Sequence, residues 1–134
     1  MGFYVTESTP RVSEYLQLRV EAELSPKSSE AAKIGLPNSL YSICIRDESE
    51  NLIGMGRVIG DGACFFQIVD MAVKPKFQGN GLGKLIMDKL EAFLTSVAVE
   101  GSYVSLIGDK PEFYERLGYK HTAPSGYGMY KKLA

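Results

Sequence analysis

Three glycines at alternate positions, Gly79, Gly81 and Gly83, stand where an apolar strand-like run gives way to a long amphipathic segment, and this junction restricts the fold more than any other feature of the chain. The preceding run, Ala63–Val73, is apolar and rich in β-formers. Beyond the glycines the period changes. Leu82, Leu85, Ile86, Leu90, Phe93, Leu94 and Val97 fall at helical spacing on one face, with Lys84, Asp88, Lys89, Glu91 and Thr95 on the other. Glycine lets a chain turn tightly and lets a ligand approach the backbone closely. The first N–H groups of a helix have no partner inside it, and the helix dipole is positive at that end. A strand, a glycine-rich turn and a helix in this order predict a site for a phosphate or pyrophosphate.

Two common phosphate-binding turns do not fit. A P-loop needs GxxxxGK[ST], whose hydroxyl holds magnesium, but here Gly83-Lys84 is followed by Leu85. A dinucleotide fingerprint needs GxGxxG and an acid about 20 residues later on the next strand. Here the spacing is GxGxG, and the next strand-like run, Ser102–Ile107, ends without that acid.

The rest of the chain predicts a mixed sheet with helices packed on it. Thr9 and Pro10 open a helix over roughly residues 10–24, with Val12, Tyr15, Leu16, Arg19 and Val20 at helical spacing. Ser25–Ser39 is polar and irregular, with room for a short helix at Ser29–Ile34. Leu40–Arg46 and Leu52–Ile59 read as strands joined by the turn Asp47–Asn51, and Gly60-Asp61-Gly62 leads by a hairpin into Ala63–Val73. Ser102–Ile107 completes a βαβ unit, so it is expected to lie parallel to Ala63–Val73. Asp109 and Glu112 are spaced as a capping box for a short helix ending at Gly118. Tyr119–His121 and Tyr127–Leu133 read as a terminal strand pair around the Pro124–Gly126 turn.

The 134 residues are expected to form a single domain, 1–134, large enough to bury a core without disulfides or a structural metal. A net charge of −1 with scattered basic residues argues against a nucleic-acid partner. No apolar run approaches the ~20 residues of a membrane span, and the polar N-terminus reads as no signal peptide, so a cytoplasmic location is expected. The two cysteines, Cys44 and Cys64, lie in strand-like runs and read as buried thiols in a reducing compartment. No spacing of cysteine or histidine suggests a metal.

The segment from Ile68 to Phe93, with Gln78, Gly81 and Gly83 in a Gln/Arg-x-x-Gly-x-Gly/Ala turn, resembles the central motif of the GNAT superfamily of acyl-CoA N-acyltransferases. Phe113, Tyr114, Glu115, Leu117, Gly118 and Tyr119 resemble that superfamily's C-terminal motif. The resemblance runs in element order from about Leu40 to Leu133 and is strongest at these two motifs, which lie 30 residues apart. It implies an α/β fold with a mixed, mostly antiparallel sheet of six to seven strands flanked by about four helices. It implies acetyl-CoA as cosubstrate and no metal. The pyrophosphate would lie on the amides of Gln78, Gly79, Asn80, Gly81, Leu82, Gly83 and Lys84, and the pantetheine arm along Met71, Ala72 and Val73. Strand-like addition of that arm is physically reasonable where a bulge leaves ladder groups unpaired.

The resemblance further implies a catalytic role for Tyr114 as general acid toward the departing coenzyme A thiolate. A phenol of pKa about 10 is a suitable donor to a thiolate whose conjugate acid lies at about 8.5. Asp70 is the candidate base for the incoming amine. Strand alternation puts it on the face of Phe66, Ile68 and Ala72, where an acid must be paired or open to a cleft. An arginine is its competing partner, and Arg57 is the candidate for an ion pair with Asp61 or Asp70. The main-chain N–H of Met71 or Ala72 would face the oxyanion. Arg57, Gln67, Tyr41 and the segment Ser28–Asn38 are expected around the acceptor, and His121 reads as a surface residue. Many relatives carry an asparagine before the tyrosine. Ile107-Gly108-Asp109-Lys110-Pro111 has none, so that contact is not carried over. The expected reaction is direct acetyl transfer in a ternary complex to a primary amine of a small molecule. The alternatives are a non-catalytic acyl-CoA sensor or an enzyme acting on a protein amine. The resemblance also allows a homodimer.

Overall fold

The computed structural model of the chain describes residues 2–134. Four strands run as an antiparallel meander: β1 (Phe3–Thr6), β2 (Tyr41–Asp47), β3 (Leu52–Gly60) and β4 (Phe65–Val73). A fifth, β5 (Tyr103–Leu106), lies parallel beside β4. The helices are α1 (Val12–Glu21), α2 (Ser29–Gly35), α3 (Leu82–Val97) and α4 (Pro111–Glu115). The crossover β4–α3–β5 is the expected βαβ unit. Among the described residues no helix is long and apolar enough to cross a membrane.

The sheet has a helix layer on each face. On one, α3 buries Leu82, Ile86, Met87, Leu90 and Leu94 against Ile43, Ile45, Ile53, Val58, Phe66 and Ile68. On the other, Tyr15 and Leu18 of α1, with Ala32 and Leu36, cover Cys44, Leu52, Met55 and Ala72. The apolar stripe of α3 is therefore the one its spacing predicts, and the helix is fixed across the centre of the sheet.

Several expectations need correction. The sheet has five strands and not six to seven. The terminal pair Tyr119–His121 and Tyr127–Leu133 is absent, because no helix or strand follows Glu115 among the described residues. Phe3–Thr6 forms an edge strand that its short pattern did not announce. Helix α1 starts after Arg11, where Glu14 accepts from the Arg11 N–H at 2.8 Å, and not after Thr9. Helix α4 has Lys110 at its N-cap with no side-chain cap, so Asp109 and Glu112 do not form a capping box. Cys44 is buried, its thiol donating to Ser8 O at 3.2 Å, and burial pushes that thiol up to about 11. Cys64 is exposed, because the hairpin after Gly60 continues to Cys64 before β4 begins.

Candidate active site

The glycine-rich turn has the backbone its sequence demands. A 3-10 turn at Pro75–Phe77 follows β4, and Gly79 and Gly81 both take positive φ, 81° and 80°. Gly81 is the N-cap of α3, and only glycine adopts that conformation without strain. Leu85 N–H is the first to find a partner inside the helix, at Gly81 O (3.1 Å), leaving the amides of Leu82, Gly83 and Lys84 free of helical partners. The polar side chains of the turn brace it. Gln78 Nε2 donates to Val73 O at 2.9 Å, and Asn80 Nδ2 donates to Phe77 O at 3.1 Å. Lys84 reaches Asp88 on the exposed side of the helix, 3.1 Å away. What the turn offers an anion is therefore main-chain N–H.

Next to the turn, β4 leaves its neighbour. Pairing with β5 runs from Phe65↔Tyr103 to Ile68↔Leu106 and stops, while β4 continues to Val73. On the β5 side, Met71, Ala72 and Val73 have no strand partner. On the β3 side the register slips between Met55 and Arg57, so Asp70 and Met71 together oppose Gly56. Asp70 sits at φ 60°, the left-handed conformation of a bulge.

That bulge changes which face Asp70 uses. Phe66 and Ile68 pack against α3, whereas Ala72 packs under α1. Asp70 turns to α1 as well, so it shares a face with Ala72 and not with Phe66 and Ile68. There it is 9% exposed and meets three donor side chains. Tyr15 Oη donates to both carboxylate oxygens at 3.0 Å, Arg57 Nε to Oδ2 at 2.7 Å, and Arg19 Nη1 to Oδ1. A carboxylate has about four acceptor positions, and three donor protons, one of them shared by both oxygens, occupy most of them. The arginines are held in turn: Arg19 by Ser25 O and Oγ, Arg57 by Ser39 Oγ at 2.8 Å and Gly35 O at 3.3 Å. Both guanidinium carbons lie 5.9 Å from the Tyr15 ring centroid. Burial first, and the Asp70 charge second, raise the Tyr15 pKa and keep it a phenol donor. The ion pair between Arg57 and Asp70 was the expected competing role, whereas Tyr15 and Arg19 were missed. Their signal was present: Arg19 shares the buried stripe of α1 with Tyr15 and Leu18, and a buried arginine requires an anion.

This cluster forms one wall of a cleft of about 700 Å³ that also takes in Gln67, Met71, Ile107, Asp109, Glu23 and Lys27. Tyr114 lines a second, smaller cavity of about 240 Å³ beside β5. The two share Ile107 and Gly108, so Asp70 and Tyr114 lie on either side of that dipeptide and not in one pocket. A Cβ at Gly108 would stand 2.5 Å from Tyr114 Cε2, so this ring position requires glycine there. Burial first, then the Asp109 charge, raise the Tyr114 pKa, which keeps its hydroxyl protonated at neutral pH. Phe113, stacked edge-on to Tyr114 at 5.0 Å, packs over the first turn of α3, where a Cβ at Gly83 would be 3.4 Å from its ring. The two sequence motifs thus meet in space.

Other expectations separate from the site. Tyr41 stacks on Phe93 of α3 at 4.8 Å, donates to Glu7 at 2.6 Å, and does not line the cleft. Glu23, Leu24, Ser25 and Lys27 line the cleft, and Ser28–Asn38 does not. His121 is exposed beside Glu115, 3.4 Å away.

Known proteins share the family and the fold. The family described as Acetyltransferase (GNAT) domain matches residues 38–121. The chain is 33% identical over 87 residues to chloroplastic GCN5-related N-acetyltransferase 2 of Arabidopsis thaliana, covering 63% of this chain and 33% of that protein. It is 30% identical over 101 residues to the uncharacterized N-acetyltransferase ycf52 of Pyropia yezoensis, covering 73% of this chain and 58% of the other. The chain thus spans well under two thirds of the length of these curated relatives. A crystallised Staphylococcus aureus protein of unknown function, described as a probable acetyltransferase, superposes with a TM-score of 0.94 at 46% identity, over 98% of this chain and 100% of its own. N-acetylglutamate synthase from Neisseria gonorrhoeae, crystallised with coenzyme A and L-arginine, shares the fold at 14% identity, with a TM-score of 0.68 over 94% of this chain and 30% of that one. GNAT acetyltransferases use acetyl-CoA, and with the fold, the turn and the family match in agreement, the chain belongs to the GNAT acetyltransferase family.

Proposed function

We propose that the protein transfers the acetyl group of acetyl-CoA to a primary amine of a small molecule, by direct attack with both substrates bound. The observation that carries this reading is the gap between β4 and β5, which opens directly beside the free amides of α3. A pyrophosphate on the Gln78–Lys84 turn would leave the pantetheine arm along the unpaired backbone of Met71, Ala72 and Val73. The thioester would then lie by Ile107 and Gly108, where the two cavities meet. The N–H of Met71 or Ala72 is the donor for the oxyanion. Tyr114 protonates the departing sulfur.

Asp70 takes a positioning role in this scheme. Held between two guanidiniums and the Tyr15 hydroxyl, it fixes Arg19 and Arg57 in the cleft wall, and the amine loses its proton to water in the open cleft. Buried Cys44, with its raised pKa, offers no thiolate for a covalent acyl-enzyme. The cleft volume lies in the range of small-molecule sites. A protein acceptor is the competing reading, since one relative of 35% identity from Glycine max is named a histone acetyltransferase. Thiol release from acetyl-CoA, measured against small amines, amino acids, amino sugars and lysine peptides, separates the two. Turnover is expected with a small amine. Turnover with peptides alone would move the acceptor to protein, and none with any acceptor would favour a non-catalytic acyl-CoA sensor.

A further inference from the structure

Given the acetyl transfer proposed above, on which this rests, we infer that the acceptor amine also carries a carboxylate, and that Arg57 and Gln67 hold that carboxylate. Arg57 is tied down on one side only. Its Nε donates to Asp70 at 2.7 Å, and its Nη1 donates to Ser39 Oγ at 2.8 Å and to Gly35 O at 3.3 Å. Its Nη2 has no partner among the described residues. Ser42 Oγ is the one enclosed side-chain nitrogen or oxygen left unpaired among the described residues, so Arg57 Nη2 is not enclosed and its N–H groups reach open space. That space is the cleft of about 700 Å³ that Arg57 lines. Arg19 offers no such group, because its Nε, Nη1 and Nη2 all donate within the protein.

Gln67 stands beside it. Phe66 and Ile68 pack against α3, so the residue between them points to the α1 face of the sheet. Val58 packs against α3 as well, which turns Arg57 and Ile59 to the α1 face. Arg57 pairs with Val69 and Ile59 with Gln67, so Arg57 and Gln67 are diagonal neighbours on that face. Such neighbours lie about 7–8 Å apart, within reach of long side chains. Gln67 is half-buried, lines the same cleft, and its amide has no partner among the described residues. A guanidinium edge with an amide beside it matches the planar pair of oxygens of a carboxylate. Charge narrows the ligand further. Asp70 neutralises one of the two guanidiniums, which leaves a single positive charge on this wall. A carboxylate balances it, whereas a phosphate ester brings about −1.5 to −2. Around the whole cleft Arg19, Lys27 and Arg57 are balanced by Glu23, Asp70 and Asp109. A lining that is neutral in sum, with one open cationic corner, fits a zwitterion such as an amino acid better than a polyamine or a dianion.

The test compares alanine, leucine and lysine with their carboxamides, by thiol release from acetyl-CoA and by calorimetric titration into protein saturated with coenzyme A. The best free acid is expected to exceed its carboxamide at least about tenfold in kcat/KM and in affinity, the scale of one charge-assisted pair. Gln67→Leu spares the Asp70 ion pairs and is expected to narrow that ratio about threefold or more. Arg57→Lys keeps a cation for Asp70 but loses the fork, and is expected to bring the ratio close to one. A general loss of structure would lower acid and carboxamide alike and leave the ratio where it was. Equal values for acids and carboxamides in the wild type would overturn the proposal while small-amine acetyl transfer stands, and so would faster turnover of aminoethyl phosphate than of any free acid. A ratio unchanged in both variants would remove Arg57 and Gln67 from carboxylate recognition. Acid-selective binding without turnover would uphold the carboxylate site and sink the transfer reaction, and neither binding nor turnover of any free acid would overturn the site itself.

Discussion

Replacing Tyr114 with phenylalanine is expected to lower kcat by about 100-fold or more, the scale of general acid catalysis, while the KM for acetyl-CoA changes little. The ring is held by Phe113, Tyr119 and the gap at Gly108. Phenylalanine therefore keeps the ring packing and removes the hydroxyl that carries the proton. Among the described residues, no side chain or carbonyl accepts a hydrogen bond from that hydroxyl, so the substitution leaves no polar group stranded. Burial and the nearby Asp109 charge keep Tyr114 protonated, which is the state a donor needs. Steady-state kinetics with the best amine, set beside coenzyme A titrations, checks the result. An unchanged kcat would remove Tyr114 from the chemistry and leave it as a packing residue.

The Asp70→Asn variant is expected to lose stability on a scale that surface changes do not reach. The substitution keeps the shape but takes one negative charge from between two buried guanidiniums, each with a side chain about a tenth exposed. Breaking a buried ion pair by removing one partner costs about 3–5 kcal/mol. For a domain of this size that corresponds to a fall in Tm of roughly 10 °C or more. Two measurements distinguish the roles open to Asp70. A positioning residue lowers Tm and disturbs acceptor KM together. A base acting alone would lower kcat at unchanged Tm, and that pattern would contradict the assignment made from its contacts.

Much of this could be read in the sequence, and the reasons for the remainder are physical. The glycine turn was legible because positive φ and free amides are local properties, fixed by Gly79 and Gly81 whatever surrounds them. The stripe of α3 was legible because one sheet face requires it. The orientation of Asp70 was not, since alternation assumes an unbroken ladder and the bulge at Asp70 and Met71 breaks it. Its partners were hidden by distance, Tyr15 and Arg19 lying on a helix more than 50 residues earlier in the chain. The strand-like pattern of Tyr127–Leu133 is real in composition. A strand, however, needs a neighbour, and among the described residues this segment pairs with none. The second motif was legible as a resemblance, but its contact with the first, Phe113 over Gly83, belongs to the fold alone.

The most direct test of the central claim is calorimetric titration of coenzyme A into the wild-type protein and into Gly81→Val. A Cβ at Gly81 would meet no protein atom within 4 Å, so valine spares the core. It cannot comfortably hold φ 80° at the N-cap, however, and it disturbs the backbone that presents the free amides. The account predicts one coenzyme bound per chain in the wild type and affinity at least about tenfold weaker in the variant, equivalent to roughly 1.4 kcal/mol. Equal affinity in the two proteins, or no binding to the wild type, would contradict the placement of the coenzyme on this turn.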